Sequence, residues 1–272
     1  MAADEVLGAK RERALPLWDA AEALKYRIAG AERLYAFFDY DGTLSEIAAT
    51  PARARTNPSA RGALSRLASM PDVRVAVVSA RPVEALRRRL RLPGIGYVGL
   101  DGLEVDAPGL RAVDVSVNVR DAERRIAALR HDAEALLARE EVPGAFLESQ
   151  GCILALHVRL SGTTARPLME LYSRLARAHG LAALRGRQVV EARPPELSKG
   201  RAVRCLLAGL RGALPIYVGD DEADEPAFEA LRGRGIGVRV TGSAGETAAR
   251  YLLGSVSEVA RFAHFLADAR RG

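Results

Sequence analysis

The chain has 272 residues, 49% hydrophobic and 27% charged, which suits one large soluble domain or two modest ones. Its net charge of +6 does not point to nucleic acid: only Lys10, Lys25 and Lys199 are lysines, the other basic residues are scattered arginines, and no basic run is interleaved with aromatics. No window approaches about 18 consecutive apolar residues, and the N-terminus lacks an apolar stretch with a small-residue cleavage site, so neither a membrane partner nor a secretory leader is expected and the expected location is cytoplasmic.

Residues 1–33 read as an amphipathic helix, because Leu15, Trp18, Ala21, Leu24 and Ile28 recur at three- and four-residue steps. The apolar run 34–38 reads as a buried strand and stops at Asp39-Tyr40-Asp41-Gly42-Thr43. A polar loop with Pro51 and Pro58 leads to a helix over 59–69 and a β-branched strand over 73–78. Ser79-Ala80-Arg81-Pro82 then opens a helix over 83–90. A short strand over 97–100 is followed by Asp101-Gly102-Leu103-Glu104. This alternation predicts an α/β fold: a Rossmann-like parallel sheet with right-handed crossovers.

The pattern changes near Asp106 and changes back near Arg193, where Pro108-Gly109 and Pro194-Pro195 mark linkers. Between them lie a helix over 119–139 and a hairpin of 146–148 and 152–159 around Ser149-Gln150-Gly151. A helix over 163–180, with Gly180 past its end, and a second hairpin of 181–184 and 188–192 around Arg185-Gly186-Arg187 complete an αββαββ unit. The expected organisation is a core of residues 1–106 and 193–272 with an inserted α+β domain of residues 107–192. The parallel pattern resumes with Ser198 as a cap, a helix to 210, and a strand over 215–218 that ends in Gly219-Asp220-Asp221. A last strand over 236–240 and a helix over 256–269 close the chain. Cys152 and Cys205, in apolar surroundings, read as reduced core residues.

Ligands of open parallel sheets bind outside the carboxyl ends of the strands. Asp39 and Asp41 share one face of an extended segment, and carboxylates that close gain from a divalent cation; a solvated Asx turn is the plainer alternative. Ser79 suits a phosphate contact or a helix cap. Lys199 is a functional ammonium or one surface lysine. Asp220 and Asp221 make a second anionic cluster or a solvated helix start. Two acidic clusters, a hydroxyl and an ammonium together suit magnesium-assisted phosphoryl transfer, and no glycine-rich P-loop calls for a nucleotide.

In order, Phe37-Phe38-Asp39-Tyr40-Asp41-Gly42-Thr43, Val77-Val78-Ser79-Ala80-Arg81, Lys199-Gly200 and Gly219-Asp220-Asp221 resemble the four motifs of the haloacid dehalogenase-like phosphohydrolases. The leading helix, residues 99–104, the αββαββ insert as a cap domain, and Gly-Asp-Asp-x-x-Asp-Glu resemble the trehalose-6-phosphate phosphatase family over nearly the whole chain. The resemblance implies hydrolysis of a sugar phosphate, trehalose 6-phosphate, through an aspartyl-phosphate with Mg2+ as cofactor. Asp39 would be the nucleophile and Asp41 the general acid and base. Asp39, Asp41 through its backbone carbonyl, Asp220 and the nearby Asp221 would serve the metal. Thr43, Ser79 and Lys199 would serve the phosphate, and Asp101, Glu104, Glu148 and Gln150 the sugar. The insert would be a mobile cap. Ala80, Asp101, Gln150 and Ala223 stand where the family usually has glycine, histidine, lysine and threonine. Because Asp101 and Gln150 fall on the sugar-reading side, a related glycosyl phosphate, of glucosylglycerol or a pseudo-disaccharide, is the alternative substrate. A phospho-accepting signalling domain is the alternative of another class. His157 and Arg159 follow the family pattern, His157 as a structural residue.

Overall fold

The computed structural model describes residues 12–108, 117–161, 165–186, 188–208, 212–240 and 246–271. Residues 1–11 of the expected leading helix, the linker residue Gly109, the helix start at 163, Arg187 and the helix end at 210 lie outside the described residues. The first described residues correct the expected helix: Glu12–Arg13 (β1) and Leu15–Pro16 (β2) are extended, a 3₁₀ turn covers Leu17–Ala20, and the helix α1 spans only Ala21–Ala29. Pro16 explains this, since it lacks an amide hydrogen and pushes Leu15 out of the helical region.

Next come Arg33–Phe38 (β3), Pro58–Ala68 (α2), Val73–Val78 (β4), Val83–Leu90 (α3), Gly96–Gly99 (β5) and Glu104–Asp106 (β6). The insert holds Val119–Glu140 (α4), Phe146–Gln150 (β7), Ile153–His157 (β8), Arg166–Ala178 (α5), Ala182–Gly186 (β9) and Val189–Arg193 (β10). Lys199–Leu207 (α6), Ala213–Gly219 (β11), Glu225–Leu231 (α7), Ile236–Val240 (β12), Glu246–Thr247 (β13), Tyr251–Leu253 (β14) and Val256–Ala269 (α8) follow. The strand over 236–240 is therefore not the last, because β14 joins the same sheet. Ser198 stands at the N-cap of α6 but its side chain makes no capping bond. Cys152 is buried as expected, whereas Cys205 is partly exposed.

The large sheet has the order β2-β14-β12-β11-β3-β4-β5-β6, parallel throughout except for β6. Its centre is β3, between β11 and β4. Leu34, Ala36 and Phe38 face one apolar cluster, shared with α1, α2, α3 and α8. Tyr35 and Phe37 face the other, shared with α6 and α7. Each fully buried Leu or Phe of this kind contributes about 1.5–3 kcal/mol, so β3 is fixed on both faces. Its carboxyl end, where Asp39 follows, is therefore a rigid platform.

The insert builds its own antiparallel sheet, β7-β8-β10-β9, backed by α4 and α5 over a separate apolar cluster. The turn of its first hairpin falls at Gly151-Cys152 rather than around Gln150, which places Gln150 inside β7, paired with Ile153. Gly180 lies just past α5 with φ of 68°, as its glycine identity suggests. Among the described residues no helix is long and apolar enough to cross a membrane.

Candidate active site

The strand ends β3, β4 and β11 bring three separated motifs to one edge of the large sheet. Asp39 leaves β3 with its amide bonded to the Val218 carbonyl of β11 at 2.8 Å. Gly42 turns the chain with φ of +80°, and any Cβ there would lie 2.1 Å from Asp220 Oδ2. Only glycine meets both demands, so the Asp39–Thr43 loop and the end of β11 interlock.

Lys199, at the start of α6, donates from Nζ to Asp39 Oδ1 and to Asp224 Oδ1, each at 2.8 Å. It is 4% exposed, which disposes of the surface-lysine alternative. Burial opposes its charge, but Asp224 and Asp39 overcome this and hold the ammonium well above its ordinary value. Asp224 is the hub of the cluster. Its Oδ1 also accepts from the Tyr217 hydroxyl at 2.7 Å, and its Oδ2 accepts from the amides of Asp220 and Asp221 at 2.9 and 3.1 Å. Burial would raise its carboxyl, yet Lys199 and these bonds hold it below the usual range.

Asp39 and Asp220 go the other way. Burial pushes the Asp39 carboxyl well above its usual range, with Lys199 opposing and Asp224 and Asp221 adding. Burial, then Asp221, Asp39 and Asp224, raise Asp220 likewise. Asp39, Asp220 and Asp224 each offer a carboxylate oxygen within 4.8 Å of the others. Such crowding of buried carboxylates around one ammonium fits a divalent cation, which would supply the missing positive charge. Since the oxygens of Asp224 are already occupied, Asp39 and Asp220 have the better-placed side chains. Asp221 lines the same pocket but serves as a cap, accepting from Ala223 N at 2.9 Å; burial and Asp224 raise it to about 6.

Asp41 is held by Arg81, whose Nε and Nη2 donate to its two oxygens at 2.5 and 2.8 Å. Arg81 also donates to the Pro51 carbonyl at 3.0 Å. Ser79, buried at the end of β4, accepts the Arg81 amide on Oγ at 3.2 Å and lines the pocket beside Asp39 and Lys199. Thr43 lies behind this wall, fully buried, with no hydrogen-bond partner for Oγ1.

The insert covers the pocket. Arg159, just beyond β8, donates to the Ala48 carbonyl of the core at 2.7 Å, and Gly186 of β9 sits so close that a Cβ would lie 3.0 Å from Asp221 Oδ2. Glu148 and Gln150 of β7 line the pocket from this side. Glu148 bonds His157 Nε2 at 2.8 Å; burial would raise its carboxyl, but the bonds to His157 and Gln150 leave it below the usual range. His157 is buried and stacked on Phe146 at 4.8 Å, and it also lines the pocket.

Two expected sugar contacts are elsewhere, and that expectation is corrected. Asp101 is fully buried in an ion pair with Arg193 and does not line the pocket. Glu104 accepts the Val83 amide at 2.7 Å, capping α3. Sequence reasoning missed Asp224 and Glu191. Asp224 was signalled by Asp-x-x-Asp, since Asp221 and Asp224 form a capping box. Glu191 was signalled by a lone carboxylate in the apolar run Val189-Val190-Glu191-Ala192; it lines the pocket, and burial followed by Asp221 raises it to about 8.

The family described as Trehalose-phosphatase matches residues 37–257. The chain belongs to the trehalose-phosphatase family. A relative, the trehalose-phosphate phosphatase of Mycobacterium avium (strain 104), is 35% identical over 96% of this chain and 69% of its own length. The solved C-terminal domain of trehalose-6-phosphate phosphatase from C. albicans superposes with a TM-score of 0.76 at 19% identity, covering 95% of this chain and 99% of that one. A haloalkanoate-superfamily phosphatase from Bacteroides thetaiotaomicron, BT1666, shares the fold more loosely, with a TM-score of 0.55 at 18% identity over 88% and 97% of the two chains. As a trehalose-phosphatase family member the chain is a phosphoric monoester hydrolase, of mixed α/β fold with a mostly parallel central sheet.

Proposed function

We propose that this chain is a cytoplasmic, magnesium-dependent phosphatase that converts trehalose 6-phosphate to trehalose and phosphate. The observation that carries the reading is the meeting of Asp39, Asp41, Ser79, Lys199 and Asp220 at one sheet edge, beneath an insert that presents Glu148 and Gln150. Residues 1–106 and 193–272 form the core and 107–192 the cap, except that Arg193, at the boundary, completes β10 and goes with the cap.

Asp39, oriented by Lys199 on Oδ1, attacks phosphorus. The bond from phosphorus to the sugar oxygen breaks, and Asp41 gives that oxygen a proton. Asp41 then takes a proton from water, which attacks phosphorus and releases the Asp39 carboxylate with inorganic phosphate. The bidentate grip of Arg81 fixes the orientation of the Asp41 carboxyl at the pocket. Lys199 and Ser79 bind phosphoryl oxygens, with Thr43 behind them supporting the loop. Asp39, Asp220 and the backbone carbonyl of Asp41 would hold Mg2+, with Asp221 nearby, and the ion would supply positive charge against the phosphoryl oxygens. Glu148, Gln150 and Glu191 meet the sugar, and the closed cap excludes water.

One observation favours a second substrate. Gln150 is a neutral amide spent in part on Glu148, where the family pattern has an ammonium, so a related glycosyl phosphate with a smaller or differently placed hydroxyl set fits the same chemistry. Phosphate release from trehalose 6-phosphate, glucose 6-phosphate and glucosylglycerol phosphate, with magnesium and with chelator, tests both readings. Fastest turnover of trehalose 6-phosphate, lost on chelation, is expected. Turnover of another sugar phosphate alone would overturn the substrate, and undiminished activity in chelator would overturn the metal.

A further inference from the structure

The turn after β5 is the most strained stretch of the described backbone. Leu100 and Asp101 have φ of 48° and 53°, in the left-handed region that ordinary residues avoid, and Gly102 follows at 110°. It is held from two sides. From the core, Leu100 N donates to the Arg81 carbonyl and Asp101 N to the Ser79 carbonyl, each at 3.1 Å, while Glu104 caps Val83. All three bonds support the segment that carries Ser79 and Arg81. From the insert, the Gly151 turn presses on Leu100, and Arg193, the last residue of β10, pairs with Asp101.

The pair is 0% and 2% exposed, yet Asp101 Oδ1 and Arg193 Nε have no hydrogen-bond partner among the described residues. A buried ion pair with unsatisfied atoms is a poor source of stability, because desolvation offsets its attraction. Its position is the informative feature. Arg193 ends the insert where the chain returns to the core, and Asp101 is one hydrogen bond from Ser79.

We propose that the Asp101–Arg193 pair is a positioning joint, which ties the seating of the insert to the geometry of the Ser79–Arg81 loop. Seating the insert brings Arg193 onto Asp101, which holds the strained turn, and the turn fixes the Ser79 and Arg81 carbonyls. Neither residue touches substrate. The joint rests on the reading of Ser79 as a phosphate contact, so that reading is tested in the same experiment.

Orthovanadate, a phosphate mimic, serves as the probe on the full chain with magnesium. Inhibition constant, kcat and melting temperature are measured for wild type, Ser79→Ala, Asp101→Asn and the double variant Asp101→Leu with Arg193→Met. The double variant replaces the pair with apolar groups and is expected to melt near the wild type. It is expected to lose about 10- to 100-fold in both kcat and vanadate affinity, as supporting residues behind a site do. Asp101→Asn, nearly isosteric, is expected to move in the same direction and carries the test if the double variant does not fold. Wild-type kcat and vanadate affinity in either variant would overturn the joint. Vanadate affinity unchanged in Ser79→Ala would instead remove the phosphate contact beneath it, and the joint with it.

Discussion

The two walls of the pocket are built on opposite plans. On the sheet edge, Asp39, Lys199, Asp220 and Asp224 are buried and bonded to one another or to backbone amides. Their positions are set by β3 and β11, which are fixed on both faces by apolar packing, and by α6, which packs on one of those faces. On the insert wall, Glu148, Gln150 and Glu191 are half-buried, on strands of a separate sheet. The sheet edge is preorganised for one chemistry. Because the insert wall stands on a separate sheet, a substitution at Gln150 is expected to leave that chemistry in place.

The sharpest way to test the contrast is to damage each wall in turn. Asp39→Asn is expected to lower kcat by about 10⁴-fold or more, since the attacking oxygen is lost, and to move the melting temperature as well, since Lys199 loses one of its two buried carboxylate partners. Asp41→Asn is expected to cost about 10²–10⁴-fold on a sugar phosphate. It should cost far less on p-nitrophenyl phosphate, whose leaving group needs no proton; equal losses on both would deny Asp41 the acid role. Phosphate release with thermal melts checks both variants.

Asp224→Asn should damage fold and chemistry together. It leaves Lys199 with Asp39 alone and weakens the cap on the amides of Asp220 and Asp221. Breaking one side of such a buried pair costs about 3–5 kcal/mol. Denaturant unfolding should show that loss, with kcat falling in parallel; an unchanged midpoint would mean that Asp224 is no hub.

Much of this sheet edge was legible beforehand, and the insert wall much less so. The strands 73–78 and 236–240 and the helices 83–90 and 256–269 fall where expected, because each is an apolar or periodic block bounded by Pro, Gly or a capping Ser. Asp39, Ser79 and Asp220 were legible because they end buried strands. The strands at 12–16 are hidden by a helix-like apolar spacing that Pro16 interrupts, and β14 is hidden because three residues carry too little pattern. Asp101 and Glu104 were assigned to the sugar by family resemblance, although sequence spacing alone does not tell which way a turn faces. Glu191 depends on how two sheets approach each other, which no local pattern encodes.

On the insert wall the expected effects are smaller. Gln150→Lys restores an ammonium at the pocket and is expected to raise kcat/KM for trehalose 6-phosphate by up to about 10-fold, the scale of one charge-assisted bond of about 1.5 kcal/mol. Unchanged kcat/KM for every sugar phosphate tested would remove Gln150 from recognition altogether.

The last test on this wall concerns Glu191, and it is read through pH. Burial, then Asp221, raise its carboxyl to about 8, against about 4.3 in an unfolded chain. Below both values the group is protonated in either state and contributes nothing to the pH dependence. Between them the folded protein keeps a proton that the unfolded chain has released, so stability falls as pH rises. Above about 8 both states are ionised and the loss is complete. Glu191→Gln removes this titration, so the variant's melting temperature should gain on the wild type as pH rises from about 5 to about 8, measured without metal to keep cation binding out of the comparison. A constant difference across that range would mean that Glu191 is already ionised in the closed pocket. The sugar would then meet a carboxylate that only accepts hydrogen bonds, where a protonated Glu191 could also donate one.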